Sequence, residues 1–595
     1  MSNGCPSFSI NAVGSVAKGV KLGRFRRISA GLLAFVCLGL VANPGTMSRA
    51  AGPDVDADFR DPNESGDGYQ IVILKDQSPV GGFSYLMNGD VAKLCTSLDD
   101  PNCEGDRSQI NYRALLQPCT SSGQLDCISG FGSATETNEL TPASFIGNFP
   151  TTGRHDFSPD PSVKLPKPGP ATLWSIPSLP HAGGTTYMVQ VQTSGGYRGG
   201  EFVMSEFGVE IHPIELVTDI CFPNQGSDAS CEQNQGPGFY DVPITNIEYD
   251  EDGNELPRET RRGLASRVSS SSFDCIVLAQ DQCARRHAFS SNARLYLKVK
   301  LSQSPKGWLH GRISKPNVAI NSLGGSAVEL DVIASTVKTP VVAKSTPWSS
   351  LPAALQDAYR ATGGFRGASA GTRNRPTFES GPEIRNAISA PSSYSTTGMA
   401  ELLAWIPYIN DQSTADISKW TLRSLTDGEL AGASSCFSNK AQLNGLVMTN
   451  ATQYTAGPPK FDRASGSLDY QVAAPHYTSG GSVFLGTYDL VMRSEVARCI
   501  YGFSKAPLNA SISVVDNDGV STTATKLVSE RDGWIRIAAY GFGFSSPTVK
   551  VKFTQDAASS TGSSSKKITI TCKKGKLVKK VTAIKPVCPK GYKKA

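Results

Sequence analysis

Polar and apolar residues alternate along much of this chain. In Arg294-Leu-Tyr-Leu-Lys-Val-Lys-Leu301, Leu295, Leu297, Val299 and Leu301 fall on one face, and Tyr296, Lys298 and Lys300 on the other. Val549, Val551 and Phe553 repeat the pattern within 547–553. A period of two with one polar face predicts antiparallel strands. Asp252-Gly253-Asn254 and Asp516-Asn-Asp-Gly519 supply turn residues between such runs. A helical period appears in two places. Leu351, Leu355 and Tyr359 recur at i, i+4 and i+8, with Ser350 placed as N-cap and Pro352 in the first turn. Met399, Leu402, Leu403 and Ile406 form a second stripe that stops before Pro407. The expected fold is mainly β: a multi-domain, antiparallel, sandwich-like architecture with a few short helices and disulfide-clipped hairpins. Gly307-Trp308 before Pro316–Ile320, and Gly533-Trp534 before 547–551, share an order of Trp-bearing strand and Pro-opened strand that would suit a duplicated sandwich.

Cysteine spacing adds a compartment. Twelve of the 14 cysteines lie beyond residue 50 and fall into neighbouring couples: Cys95/Cys103, Cys119/Cys127, Cys221/Cys231, Cys275/Cys283, Cys436/Cys499 and Cys572/Cys588. The short couples are separated by seven or nine residues, whereas zinc boxes use two to four. Paired disulfides in an oxidising compartment are the expectation. Residues 1–50 agree with it. Five basic residues precede the apolar run Ile28–Ala42, which is short for a membrane span, and Ser48-Arg49-Ala50 offers small residues for cleavage. The chain therefore divides into a signal peptide (1–50), a disulfide-rich β region of one or two domains (51–345) and a helix-containing linker (346–398). A sandwich-like domain (399–556), a short Ala/Ser/Thr/Gly linker (557–565) and a tail (566–595) complete it. No segment beyond the leader is long and apolar enough for a transmembrane span.

Charge is distributed unevenly. The net charge is +6, yet residues 1–50 carry +6 and residues 566–595 carry +11 with no acidic residue, which leaves the body at −11. An acidic body argues against nucleic acid as a partner. In the tail, Ile568, Ile570 and Cys572 alternate with Thr569 and Thr571, a turn is expected around Gly575, and Cys588 can close back on Cys572. Lys573, Lys574, Lys576, Lys579, Lys580, Lys585 and Lys590 then form an exposed cationic surface. Its expected partners are anionic cell-wall polymers or lipid headgroups, which would hold a secreted protein at the cell surface.

Catalytic chemistry is hard to place. Gly367-Ala-Ser369-Ala-Gly371 matches the nucleophile-elbow letters, but loop-like flanks surround it in place of a strand and a helix. The six histidines form no H-E-x-x-H box, and Asp54, Asp56 and Asp58 lack the Gly and Glu of a calcium loop. No catalytic, cofactor or metal residue is assigned. Among the tryptophans, Trp308 and Trp534 suit the core, while Trp174 and Trp348, in Pro-rich surroundings, suit exposed platforms for sugars. The leading functional reading is binding or adhesion. An exported hydrolase acting on glycans or peptides, or a structural envelope component, stays open.

Several segments resemble a group of large, uncharacterised, exported actinobacterial proteins. They are Leu173-Trp-Ser-Ile-Pro177, His181-Ala-Gly-Gly184, Arg498-Cys-Ile-Tyr-Gly-Phe-Ser504, Asp532-Gly-Trp534, Phe544-Ser-Ser-Pro547 and the closing Cys572 to Cys588-Pro-Lys-Gly-Tyr592, together with the Cys-x7-Cys pairs. The resemblance implies export and an intact multi-domain unit, and brings no activity with it.

Overall fold

The computed structural model describes residues 69–217, 239–243, 260–264, 275–360 and 386–595, apart from short stretches inside these spans, the longest of them 556–567. The leader, Asp54, Asp56 and Asp58, Cys221, Cys231, the 252–254 turn and Ser369 lie outside the described residues.

The alternating runs are strands. Arg294–Leu301 pairs on one side with Ala327–Ser335 and on the other with Cys127–Ala134. Its Leu295, Leu297, Val299 and Leu301 are buried. The opposite face is less wet than alternation suggests: Arg294 and Tyr296 are also buried. Tyr296 lies over Gly132, where an added Cβ would come within 2.8 Å of its ring. Thr548–Gln555 buries Val549, Val551 and Phe553, and Lys550 pairs with Asp469 at 2.5 Å. Asp532 and Gly533, at φ of 51° and 77°, make the two-residue turn between Thr525–Arg531 and Trp534–Phe542. Such turns match the twist of the strands they join. The mainly antiparallel β architecture follows from these elements.

One sheet organises the chain. Its path runs through Lys93–Cys95, Tyr85–Asn88, Ile110–Leu115, Thr186–Arg198 and Glu201–Val217, then Thr421–Ser424, Gly307–Arg312, Leu443–Thr449, Gly486–Arg493, Trp534–Phe542 and Thr525–Arg531. Two smaller sheets pack against it. The first, built around Arg294–Leu301, shares a core with Val189, Val191, Val209, Leu309, Leu446, Met448 and Val491. The second, built around Thr548–Gln555, shares another core with Trp308, Val447, Leu490 and Met492. Trp308 and Leu309 are consecutive, as are Leu446, Val447 and Met448, so successive side chains enter different cores. The middle of the long sheet is thus buried on both faces, which explains its unbroken apolar runs.

This arrangement bears on the boundary expected at 346–398. Five strand pairings join residues before it to residues within or after it: Tyr69–Leu74 with Asn386–Ser389, Glu201–Val217 with Thr421–Ser424, Gly307–Arg312 with both Thr421–Ser424 and Leu443–Thr449, and Val337–Pro347 with Ala415–Lys419. The suggested duplication has no counterpart in topology. Ser314–Gly324 is an edge strand, while Thr548–Gln555 lies between Ser467–Ala473 and Leu508–Val515.

Both helical periods form helices, over Ala353–Arg360 and Thr396–Trp405. The first begins two residues later than Ser350 would cap it. Pro352 carbonyl accepts from Gln356, and Ser350 belongs to the preceding 3-10 turn. Ser395 caps the second by accepting from the Gly398 amide at 2.8 Å. Leu351, Leu355, Tyr359, Leu402 and Trp405 bury against Val72, Leu74 and Val342. Trp405 Nε1 donates to Tyr359 Oη at 2.7 Å, and Tyr359 Oη donates to Glu401, which is fully buried.

Four disulfides are formed: Cys95–Cys103, Cys119–Cys127, Cys436–Cys499 and Cys572–Cys588. Cys275 and Cys283 sit on the adjacent strands Cys275–Ala279 and Gln282–Arg286, with their side chains outside the described residues. Among the described residues, no helix is long and apolar enough to cross a membrane.

Candidate functional site: a cationic C-terminal module

The tail begins as alternation dictates. Ile568–Lys574 pairs antiparallel with Leu577–Ala583, with Lys574 opposite Leu577 across Gly575 and Lys576. Gly575 has φ of 59°, the left-handed value that a Gly-first two-residue turn needs. A third strand that the sequence pattern did not announce, Lys593–Lys594, adds to the free edge of the first. The disulfide Cys572–Cys588 ties the returning segment over one face. Cys572 and Ile570 are the buried residues there. So small a sheet covers little apolar area, and closing a 16-residue separation stabilises it by about 3 kcal/mol on chain-entropy grounds.

Every residue from Lys573 to Lys580 is exposed, and so are Lys585, Lys590, Lys593 and Lys594. The structure brings the sequence-assigned lysines together as follows. Lys573 stands opposite Val578 on one side and Lys593 on the other, with Lys580 one pair further along on the same face. Lys574 and Lys579 take the opposite face, where Lys574 Nζ would meet a Cβ at Gly591 at 3.4 Å. Cationic groups therefore cover both faces and the turn. Three large apolar residues are exposed among them: Leu577 at 64 %, Val578 at 57 % and Val587 at 79 %.

Elsewhere, one cluster of buried polar groups forms a structural network. Asp76 accepts from Arg312 Nε and Nη2 at 2.7 Å each and from Ser393 Oγ at 2.6 Å, and Lys419 Nζ lies at 3.5 Å. Arg312 Nη1 also donates to the carbonyls of Thr449 and Ala451. Burial alone would raise the Asp76 carboxyl, but the Arg312 and Lys419 charges outweigh it and hold it far below the usual carboxylate range. His310 stacks flat on Tyr454 at 3.9 Å. Burial first, then Arg312 and Arg423, push His310 well below its ordinary value, which keeps the ring neutral. Arg423 donates to Glu429 at 2.7 and 2.8 Å and to Tyr454 Oη at 3.0 Å. Sequence reading missed this cluster because its members are scattered from Asp76 to Tyr454 and match no motif.

The remaining candidates are placed as follows. Trp174 is no sugar platform: it lies in the strand Ala171–Ser175, 7 % exposed, against Phe131 and Phe145. The prolines that suggested a loop flank the strand and do not interrupt it. The Trp348 side chain lies outside the described residues. Trp308 is fully buried, and Trp534 is half-buried beneath Arg493, whose guanidinium carbon lies 4.8 Å from the ring centre. His212 pairs with Glu210, and His287 pairs with Glu215 and faces His181. Among the described residues, no group of three or more His, Cys, Asp or Glu is arranged to hold a metal ion. No known protein family, curated protein or solved structure matches the chain.

Proposed function

We propose that this protein is exported and acts at the cell envelope as a binding or adhesion protein, attached through its C-terminal module to an anionic surface. The observation that carries the reading is the segregation of charge. Residues 566–595 hold eleven lysines and no acid, while residues 51–565 are net −11. In the described part of the tail, these lysines stand exposed on a disulfide-closed sheet. Four disulfides support an oxidising compartment. The body holds buried ion pairs of a kind that stabilise a scaffold, Asp76 with Arg312 and Lys419, and Arg423 with Glu429.

Attachment through many point charges is screened by salt over about 8 Å at physiological ionic strength. The full chain is therefore expected to be retained by cell-wall fragments or immobilised polyphosphate at low salt and released at high salt. The variant K573Q/K579Q/K580Q/K593Q is expected to elute at markedly lower salt. Equal elution of the two proteins would remove the tail from the attachment.

A further inference from the structure

Charge alone does not account for the tip of the tail hairpin. Leu577 and Val578 follow the Gly575–Lys576 turn, are adjacent, and point to opposite faces of the sheet, yet both are more than half exposed. Lys573, Lys574, Lys576, Lys579 and Lys580 surround them, all exposed. Val587, one residue from the Cys572–Cys588 disulfide, is a third bare aliphatic residue in the same small module. A polyanion in solution binds lysines and gains nothing from aliphatic side chains at a turn. A bilayer with anionic headgroups offers both environments at once: phosphates at the level of the ammonium groups and hydrocarbon a few ångströms deeper.

We propose that the tail hairpin is an interfacial lipid anchor. It enters an anionic bilayer tip first, placing Leu577 and Val578 at the boundary between headgroups and acyl chains. The geometry suits this depth. Strands rise about 3.4 Å per residue, so immersing the turn and the first two cross-strand pairs, Lys574 with Leu577 and Lys573 with Val578, covers both aliphatic side chains. The Lys573, Lys574 and Lys576 stems then reach back to the phosphates, and Lys579 and Lys580 lie at the level of the headgroups. End-on entry uses the lysines of both faces, whereas a sheet lying flat would use those of one. The body, at net −11, is repelled by the same surface and stays off it. This inference rests on the cationic-attachment reading and names the partner within it.

The test uses the oxidised chain without its leader, residues 51–595, with two probes: vesicles of phosphatidylcholine with and without about a third phosphatidylglycerol, in the range where each basic residue adds measurably to binding, and immobilised polyphosphate. The wild-type chain should sediment with anionic vesicles and not with neutral ones. L577S/V578S should bind anionic vesicles at least about tenfold more weakly, in line with the transfer of two aliphatic side chains, while its retention on polyphosphate is unchanged. Because both side chains are exposed, the double variant loses no core contact. In L577W, brominated acyl chains should quench emission beyond the wild-type level. Equal vesicle binding by L577S/V578S and wild type, or polyphosphate retention without vesicle binding, would overturn the lipid anchor and leave the cationic reading standing. Binding to neither probe would overturn both.

Discussion

Asp76 shows at the scale of one residue how the body is held. Its carboxylate is the shared acceptor for Arg312, Lys419 and Ser393, which arrive from three separate parts of the chain. Arg312 is 2 % exposed. Neutralising its partner in D76N leaves a buried guanidinium without its counter-ion, and a loss of about 3–5 kcal/mol is expected on denaturant unfolding. The pH dependence follows from the direction of the shift. Burial raises the carboxyl, but Arg312 and Lys419 outweigh it, so the folded-state value lies far below the ordinary 3.8. A carboxyl lowered by folding contributes stability in full above its unfolded value, and that contribution fades as pH falls towards the folded value. Wild-type stability should therefore drop below about pH 4, and D76N should lack that part of the drop. Identical acid slopes for the two proteins would show that the ion pair contributes nothing to acid stability.

Single elements differ in how openly they are written. Leu351, Leu355 and Tyr359 are legible because a helix that buries one stripe against a sheet repeats every three to four residues. Leu355 is 1 % exposed, so L355A should cost about 2–4 kcal/mol, read as a lower midpoint of chemical unfolding. An unchanged midpoint would mean that the helix layer adds no stability. The strand Ala171–Ser175 was illegible for the converse reason. Four of its five residues are buried, so it has no polar face to alternate with, and its flanking prolines resemble a loop. Leu443–Thr449, buried throughout, is also of this kind. The tail hairpin was readable from Thr and Ile alternation and a glycine turn. Its third strand was not, because Lys593–Lys594 is two residues long and defined by its neighbour alone. The four disulfides among the described residues were legible as nearest neighbours. The cluster of Asp76, Arg312 and Arg423 depends on long-range register, which local pattern does not encode.

At the scale of the whole molecule, the sequence suggests separable domains and the sheet joins them. Composition changes at 346–398, but hydrogen bonding does not stop there: residues before 348 and residues after 385 alternate as neighbours in the same ladders. Trp308 illustrates the dependence. It lies on a strand of the first part, but packs in the core formed by Tyr470, Leu490 and Ile537. Its ring meets Phe437 edge-on at 5.1 Å, and its Nε1 donates to the Phe437 carbonyl. Cutting the chain between the parts therefore breaks one covalent bond and none of these contacts. With a specific protease site introduced between residues 361 and 385, the cleaved protein should elute from a sizing column as one species of native volume. It should unfold in one transition at a lower midpoint than the intact chain, because the parts can then separate and unfolding gains translational entropy. Produced apart, residues 51–345 and 399–556 should each expose the sheet edges and core faces that the other covers, and should aggregate unless mixed during refolding. Two cleaved parts that separate under native conditions, each with its own unfolding transition, would show that the long sheet does not couple them.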